Sequence, residues 1–213
     1  MKKKRKIIFF DFDGVIADSF EMAFGVNKMV TKETRMKKDD YRSLFDGNIN
    51  DWKKTSSLSK QEKDRIDKEF FEIYDPLMKK IKIIPGIKNV LKKFSKDYLL
   101  IIISSTISSP IREFMDRYGL SSFFDVIMGN DVHNSKSKKI SIVFNKYNVR
   151  CDDCIFITDT LGDIKEATRK GVQSIGVTWG FQKRKNLLKG KPFSIAKKPE
   201  DLLNIVSRYF EQN

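Results

Sequence analysis

Histidine and cysteine are nearly absent from this sequence: one histidine and two cysteines occur in 213 residues. The lone His133 excludes chemistry that needs a histidine pair, and any histidine-rich metal centre. The cysteines stand in Cys-Asp-Asp-Cys, Cys151 to Cys154. A redox pair of that spacing follows a strand and opens a helix, where the helix dipole lowers the thiol pKa. This one precedes an apolar run, Ile155 to Ile157, and a zinc site would need a second ligand pair. Both cysteines therefore read as structural or incidental. No apolar run approaches a membrane span. The start, Met1 to Lys6, is basic, but the apolar run behind it is too short for a signal peptide and ends in aspartates. A cytoplasmic protein without a membrane partner is expected. Internal repeats and low-complexity linkers are also missing.

Basic residues, by contrast, are abundant. The 42 Lys and Arg against 28 Asp and Glu leave a net charge of +14, which favours anionic ligands. The basic residues are scattered along the whole chain, with no nucleic-acid motif and no interleaved aromatics. They read as a solvated surface, and nucleic acid is not the expected partner. Hydrophobic residues at 40% and aromatics at 12% supply a core, enough for one large domain or a domain with a smaller insert.

After about residue 85 strands and helices alternate. Leu99–Ile103, Phe124–Met128, Ile155–Thr158 and Ser174–Val177 read as buried strands, joining the first run at Ile7 to Phe10. Between them, Ile111, Phe114, Met115 and Tyr118 mark one helix face, with Pro110 in its first turn and Gly119 at its stop. Ile140, Val143, Phe144 and Tyr147 mark another face, and a helix over roughly 161–170 stops at Gly171. A last helix opens at Pro199, with Leu202, Ile205, Val206 and Tyr209 on one side. This alternation argues for a three-layer α/β/α, Rossmann-like parallel sheet. The stretch from 16 to 82 has no convincing strand. Phe20, Ala23 and Phe24 suggest one helix. Ser59 to Glu62 is a capping-box pattern opening a second, with Ile66, Phe70, Ile73 and Leu77 on its face. Pro85 and Gly86 mark the return. The division expected is a core of 1–15 and 83–213 with a small α-helical cap at 16–82, inserted after the first strand.

Each strand end carries chemistry. The first ends in Asp11 and Asp13, two residues apart and so pointing the same way. Like charges at the end of a buried strand cost stability unless a cation or a reacting group sits between them. Gly14 then permits a sharp turn. The pair suits a divalent-metal site with one carboxylate free to attack and a second to move protons. An isolated Asp-x-Asp can simply end a strand, so the rest of the constellation matters. The second strand ends in Ser104, Ser105 and Thr106, and the fourth in Thr158 and Asp159, with Asp163 four residues on. Between the third and fourth lies Ser135, Lys136, Ser137, Lys138 and Lys139 at a helix start. Ligands of open parallel sheets bind outside the carboxyl ends of the strands, where these groups would converge.

These four segments, in this order, resemble the motifs of the haloacid dehalogenase-like (HAD) superfamily of phosphohydrolases. Asp11 to Val15 is similar to the first motif, Ile102 to Ser104 to the second, Lys136 to the third and Asp159 to Asp163 to the fourth. Asp159 to Gly180 resembles the phosphoglycolate phosphatase-like branch, and the helical insert resembles its small cap. The resemblance implies a magnesium-dependent phosphatase acting on a small phosphorylated metabolite. Asp11 would attack phosphorus, forming an aspartyl-phosphate, and Asp13 would protonate the leaving oxygen and then activate water. Magnesium would be held by Asp11, Asp159 and the Asp13 carbonyl, with Asp163 a ligand or an orienting group. Ser104 and Ser105 would bind the phosphoryl group, and Lys136 would bind it and offset its charge. The third motif lacks the usual Lys-Pro pair, which leaves its lysine open among Lys136, Lys138 and Lys139. Lys136 is preferred because it reads as lying just before the helix; Lys138 and Lys139 read as solvent-facing. An acid at position 13 favours a phosphate ester over a halide or phosphonate. Arg35, Arg42 and Gly47 of the insert read as surface or turn unless the fold turns them inward.

Two other readings remain at this stage. A phosphosugar mutase would use the same aspartyl-phosphate but keep water out, and a nucleic-acid-binding or end-processing protein would account for the charge of +14. A monomer or homodimer is expected.

Overall fold

The uninterrupted apolar runs form the strands, because a parallel strand is covered by helices on both faces and needs no polar side. A computed structural model describes residues 6–49 and 57–212; residues 50–56 of the expected cap lie outside them. Strand β1 (Ile7–Phe10) sits at the centre, paired in parallel with β4 (Leu99–Ile103) on one side and β6 (Cys154–Thr158) on the other. The sheet continues to β5 (Val126–Met128) beyond β4, and to β7 (Gln173–Val177) and β8 (Ser194–Ala196) beyond β6. All five pairings are parallel.

Alternation along β1 separates the layers. Ile8 and Phe10 join a cluster with Val90, Leu91, Ile111 and Leu202. These residues come from α4 (Ile87–Asp97), α5 (Ser108–Arg117) and α8 (Asp201–Gln212). Ile7 and Phe9 join the opposite cluster, with Ile140, Val143 and Ala167 of α6 (Lys136–Tyr147) and α7 (Leu161–Thr168). The three-layer α/β/α expectation is met. The sequence reading missed β8, whose Ser-Ile-Ala is too short to make a run. It also opened the last helix at Pro199, two residues ahead of its start at Asp201, and extended the helix after β6 past Thr168.

Between β1 and α4 the chain is mainly helical: α1 (Phe20–Thr31), α2 (Lys38–Ser43) and α3 (Lys60–Leu77). Helix α3 starts where the capping box placed it. Ser59 Oγ accepts from Glu62 N at 3.2 Å, and Ser59 N donates to Glu62 Oε2 at 3.0 Å. Helices α1 and α3 pack together through Val26, Val30, Ile66 and Tyr74. Contrary to the expectation of no strand here, β2 (Ala17–Asp18) pairs antiparallel with β3 (Lys82–Ile83). Two-residue strands carry no periodicity to read. The ribbon brings the chain's exit from the sheet and its return side by side, so the helical segment hangs from one double connection. Among the described residues no helix is long and apolar enough to cross a membrane.

The register positions the strand ends. Phe10 lies opposite both Ile102 and Ile157, so Asp11 emerges level with the last residues of β4 and β6. Phe12, between the two aspartates, is fully buried and meets Phe114 edge-to-face at 5.0 Å between centroids. It anchors the loop in the core while its neighbours face outward. Phe12→Ala is expected to lower unfolding stability by about 3–5 kcal/mol through lost burial and a residual cavity. Urea melts check this; a midpoint like that of the parent would show that Phe12 is not an anchor.

Candidate active site

Three adjacent strands end in polar side chains at one edge of the sheet, and neighbouring strands are about 4.8 Å apart. Asp11 follows β1, Ser104 follows β4 and Asp159 follows β6, and all three are buried. Helix α6 adds Lys136 and α7 adds Asp163. The Lys136 ammonium lies between two carboxylates, 2.8 Å from Asp11 Oδ1 and 2.6 Å from Asp163 Oδ2. Asp11 Oδ1 also accepts from Phe12 N at 2.8 Å, and Asp163 Oδ2 accepts from Thr158 Oγ1 at 2.7 Å.

Helix geometry separates the three lysines. Ser135 is the N-cap and Lys136 the first helical residue, not a residue before the helix. Its main-chain N–H donates to Glu166 Oε2 at 2.6 Å, an anion at a helix N-terminus. Lys138 is exposed. Lys139 is not solvent-facing, as the sequence reading had it. It is fully buried, and its Nζ donates to the Ser104 carbonyl. Residues 136, 139, 140 and 143 fall at i, i+3, i+4 and i+7, so the face that buries Ile140 and Val143 buries both lysines. Burial, and then the charge of Lys136, press the Lys139 ammonium down to about 8.

Asp13 is tied from both sides. Tyr74 of α3 donates to its Oδ1 at 2.5 Å, and Thr106 Oγ1 donates to its Oδ2 at 2.7 Å. Ser104 Oγ accepts from Thr106 N at 3.0 Å, which shapes the loop after β4. Ser105 is half-buried and lines the same cavity as Ser104, Thr106 and the carboxylates.

Asp159 is the carboxylate that wants a partner. Its Oδ2 accepts from Phe181 N at 2.6 Å, while its buried Oδ1 has no hydrogen-bond partner. Burial pushes its carboxyl up to about 7 against that one donor, with repulsion from Asp163 adding to the rise. Burial likewise raises Asp11, offset in part by Lys136 and reinforced by Asp163 and Asp159. Burial works against Asp163 too, but Lys136 and the hydrogen bonds from its neighbours hold it below the usual carboxylate range. Two glycines make the room. A Cβ on Gly14, whose φ is +73°, would lie 2.0 Å from Asp159 Oδ2, and one on Gly180 would lie 2.2 Å from it.

These observations fit a hard divalent cation beside Asp11 and Asp159. Among the described residues no group of three His, Cys, Asp or Glu side chains is arranged to hold a metal by itself. Asp163 is engaged by Lys136 and Thr158, and the Asp13 side chain by Tyr74 and Thr106. Two carboxylates plus waters and substrate oxygens are what magnesium ordinarily takes, in place of an all-protein cage.

Over this floor lies a cavity of about 480 Å³ whose far wall comes from the helical segment. Gly47 lines it, while Arg35 is exposed and Arg42 serves elsewhere. Arg42 Nε donates to the Phe181 carbonyl at 2.7 Å, and its guanidinium lies 4.2 Å from the Phe20 ring centroid. Sequence reasoning missed Tyr74, Glu166 and Phe181, and it named Thr158 at the strand end without giving it a role. Tyr74 alone had a signal, falling four residues after Phe70 on the apolar face of α3.

Residues 8–177 match the family described as haloacid dehalogenase-like hydrolase. The chain is 24% identical over 209 residues to a phosphoglycolate phosphatase of Synechococcus elongatus, covering 96% of this chain and 99% of that one. It is 29% identical over 116 residues to the pyrophosphatase PpaX of Listeria monocytogenes, covering 53% of this chain and 54% of that one. A solved structure of a haloacid dehalogenase-like family hydrolase from Streptococcus pneumoniae superposes with a TM-score of 0.81 at 25% identity. It covers 95% of this chain and 99% of that one.

The three lysines should separate in stability. Lys136→Ala leaves two buried carboxylates without their ammonium and should cost about 3–5 kcal/mol. Lys139→Ala leaves the buried Ser104 carbonyl without its donor and should cost about 1–3 kcal/mol. Lys138→Ala should fall within about 0.5 kcal/mol of the parent. Urea melts at pH 7 measure all three; equal midpoints for the Lys136 and Lys138 variants would contradict the buried pairing.

Proposed function

The chain belongs to the haloacid dehalogenase-like hydrolases, and from that premise we propose that it is a magnesium-dependent phosphatase of a small phosphorylated metabolite in the cytoplasm. The observation that carries the reading is the paired carboxylates Asp11 and Asp159 on adjacent strand ends, with Lys136 against Asp11 and one Asp159 oxygen lacking a donor. Residues 16–82 act as a cap on a core of 1–15 and 83–213, consistent with the double connection at β2 and β3.

Asp11 is the nucleophile. Its carboxylate oxygen bonds to phosphorus as the bond to the leaving oxygen breaks, giving an aspartyl-phosphate. Lys136 touches that carboxylate and offsets charge as the phosphoryl group transfers. Ser104 and Ser105 bind phosphoryl oxygens from the loop after β4. Asp13 protonates the leaving oxygen, then takes a proton from the water that attacks the aspartyl-phosphate. The second step restores Asp11 and releases inorganic phosphate. Magnesium would be held by Asp11, Asp159 and the Asp13 carbonyl, with Asp163 behind them, and when bound it supplies positive charge to phosphate oxygens.

Tyr74 and Thr106 position Asp13. Each donates to one carboxylate oxygen, so the side chain cannot swing away from the leaving group. Since Tyr74 belongs to the insert, this contact joins proton transfer to the seating of the cap over the floor.

Asp11→Asn should abolish turnover, by about a thousandfold or more, because a neutral amide cannot form the covalent intermediate. Steady-state assays of a clean preparation check this, and unchanged activity would sink the mechanism. Wild-type activity should vanish in EDTA and return with magnesium, and Asp159→Ala should raise the magnesium concentration required. Full activity after rigorous chelation would exclude the metal site.

Tyr74→Phe should separate substrates by leaving group. An alkyl phosphate needs its leaving oxygen protonated, whereas 4-nitrophenyl phosphate does not. The variant should lose roughly ten- to a hundredfold in kcat on the alkyl ester and far less on the nitrophenyl ester. Equal losses on both would reduce Tyr74 to a packing residue.

A further inference from the structure

Among the described residues two lysines are buried, Lys136 and Lys139, and the mechanism above uses only the first. Lys139 has no exposed surface, and its Nζ donates to the Ser104 carbonyl. A buried ammonium carries a desolvation cost that an apolar side chain beside Ile140 and Val143 would not. The group it holds is one peptide unit, which joins the Ser104 carbonyl to the Ser105 N–H. A trans peptide is planar, and its C=O and N–H point to opposite sides. The carbonyl is turned back to α6. The N–H is therefore turned away from α6, to the side on which Ser104, Ser105 and Thr106 line the cavity. The flanks of this loop are tied as well. Ser104 N donates to the Met128 carbonyl at 3.0 Å, and Asn130 N donates to the Thr106 carbonyl at 2.9 Å. Lys139 fixes the peptide between them.

We propose that Lys139 is a positioning residue for phosphoryl transfer, which aims the Ser105 N–H at the phosphoryl oxygens and strengthens it as a donor. The inference rests on the phosphatase reading of the same site and deepens it. A charge-assisted bond to the carbonyl polarises the whole amide, so the N–H at its other end becomes more positive. A transferring phosphoryl group spreads its charge over its equatorial oxygens, and a preorganised donor facing them stabilises that charge. Lys136 meets this charge beside the nucleophile, and Lys139 meets it from behind Ser104. The charged groups facing Lys139 are Lys136 on its own helix, Asp11 after β1, Asp163 and Glu166 on α7, and Asp131 after β5. Burial and Lys136 outweigh the acids and press the ammonium down to about 8. It is charged at neutral pH and loses that charge just above it.

The test compares the wild type with Lys139→Met on an alkyl phosphate and on 4-nitrophenyl phosphate, at saturating magnesium. The variant should lose about tenfold or more in kcat on both esters alike, because the phosphoryl group is common to them. The inhibition constant of inorganic phosphate should rise by about fivefold or more, with the magnesium requirement unchanged. Turnover within about twofold of the wild type on both esters would overturn the inference. So would a loss confined to the alkyl ester, which would put Lys139 behind Asp13 through Thr106. A parallel rise in the magnesium requirement would also overturn it, as general damage to the floor. A second measurement needs no variant and decides the matter if Lys139→Met fails to fold. Wild-type kcat/KM should decline on both esters above about pH 8, and a level profile from about pH 7 to 9.5 would overturn the inference. All these failures leave the phosphatase reading standing. Hydrolysis of neither ester beyond the rate of Asp11→Asn would overturn the phosphatase reading itself.

Discussion

Three buried carboxylates sharing one ammonium are the constraint on which the rest of this structure depends. Asp11, Asp159 and Asp163 converge from β1, β6 and α7, and Lys136 sits between the first and the last. Their mutual repulsion in a low-dielectric site is large, and a flexible scaffold would relieve it by moving them apart. They stay together because the backbone cannot move. Two of them emerge from neighbouring strands whose flanks are filled by Ile8, Phe10, Ile155 and Ile157, all fully buried. The sheet thus stores a charge imbalance at its carboxyl edge, and a bound cation is the natural way to settle it.

The surrounding residues serve that arrangement. Glu166 fixes the start of α6 through the Lys136 main-chain N–H, so the lysine reaches Asp11 from a set position. Phe181 N turns Asp159 so that one oxygen is satisfied and the other is left open. Gly14 and Gly180 keep their Cβ positions clear of it. On the opposite side the insert reaches the floor through the Tyr74 hydroxyl on Asp13 and the Asn48 amide on Glu166. The cavity therefore has a charged floor, built from strand ends, and a largely apolar roof, built from helices. That polarity suits a reaction in which the phosphoryl group is recognised by charge and the leaving group by shape.

Much of the floor was legible beforehand because each residue ends an apolar run or opens a helix. Asp11, Ser104 and Asp159 stand where long hydrophobic stretches stop, and a parallel sheet gathers such ends. Lys136 does meet Asp11, although it lies inside the helix and not before it. Lys139 was misjudged because neighbouring positions were taken to point apart. The i+3 return of a helix, together with burial under the Ser104 carbonyl, decided otherwise. Phe181 and Glu166 were invisible. Phe181 acts through its main-chain N–H, and Glu166 meets Lys136 across a separation of thirty residues. Neither role has a side-chain pattern in sequence.

The sequence by itself determined the layered parallel sheet, the helical interruption after β1 and the set of ionisable groups at the strand ends. These follow from local physics: runs of apolar residues, periods of two and 3.6, capping boxes and turn-forming glycines. Only the tertiary structure decided which lysine meets Asp11, which Asp159 oxygen is left without a donor and which insert residue holds Asp13. It also decided that the roof over the floor is rich in rings. Those outcomes depend on distances between elements far apart in the chain. Such distances are set by packing and strand order, and local propensity carries no record of them.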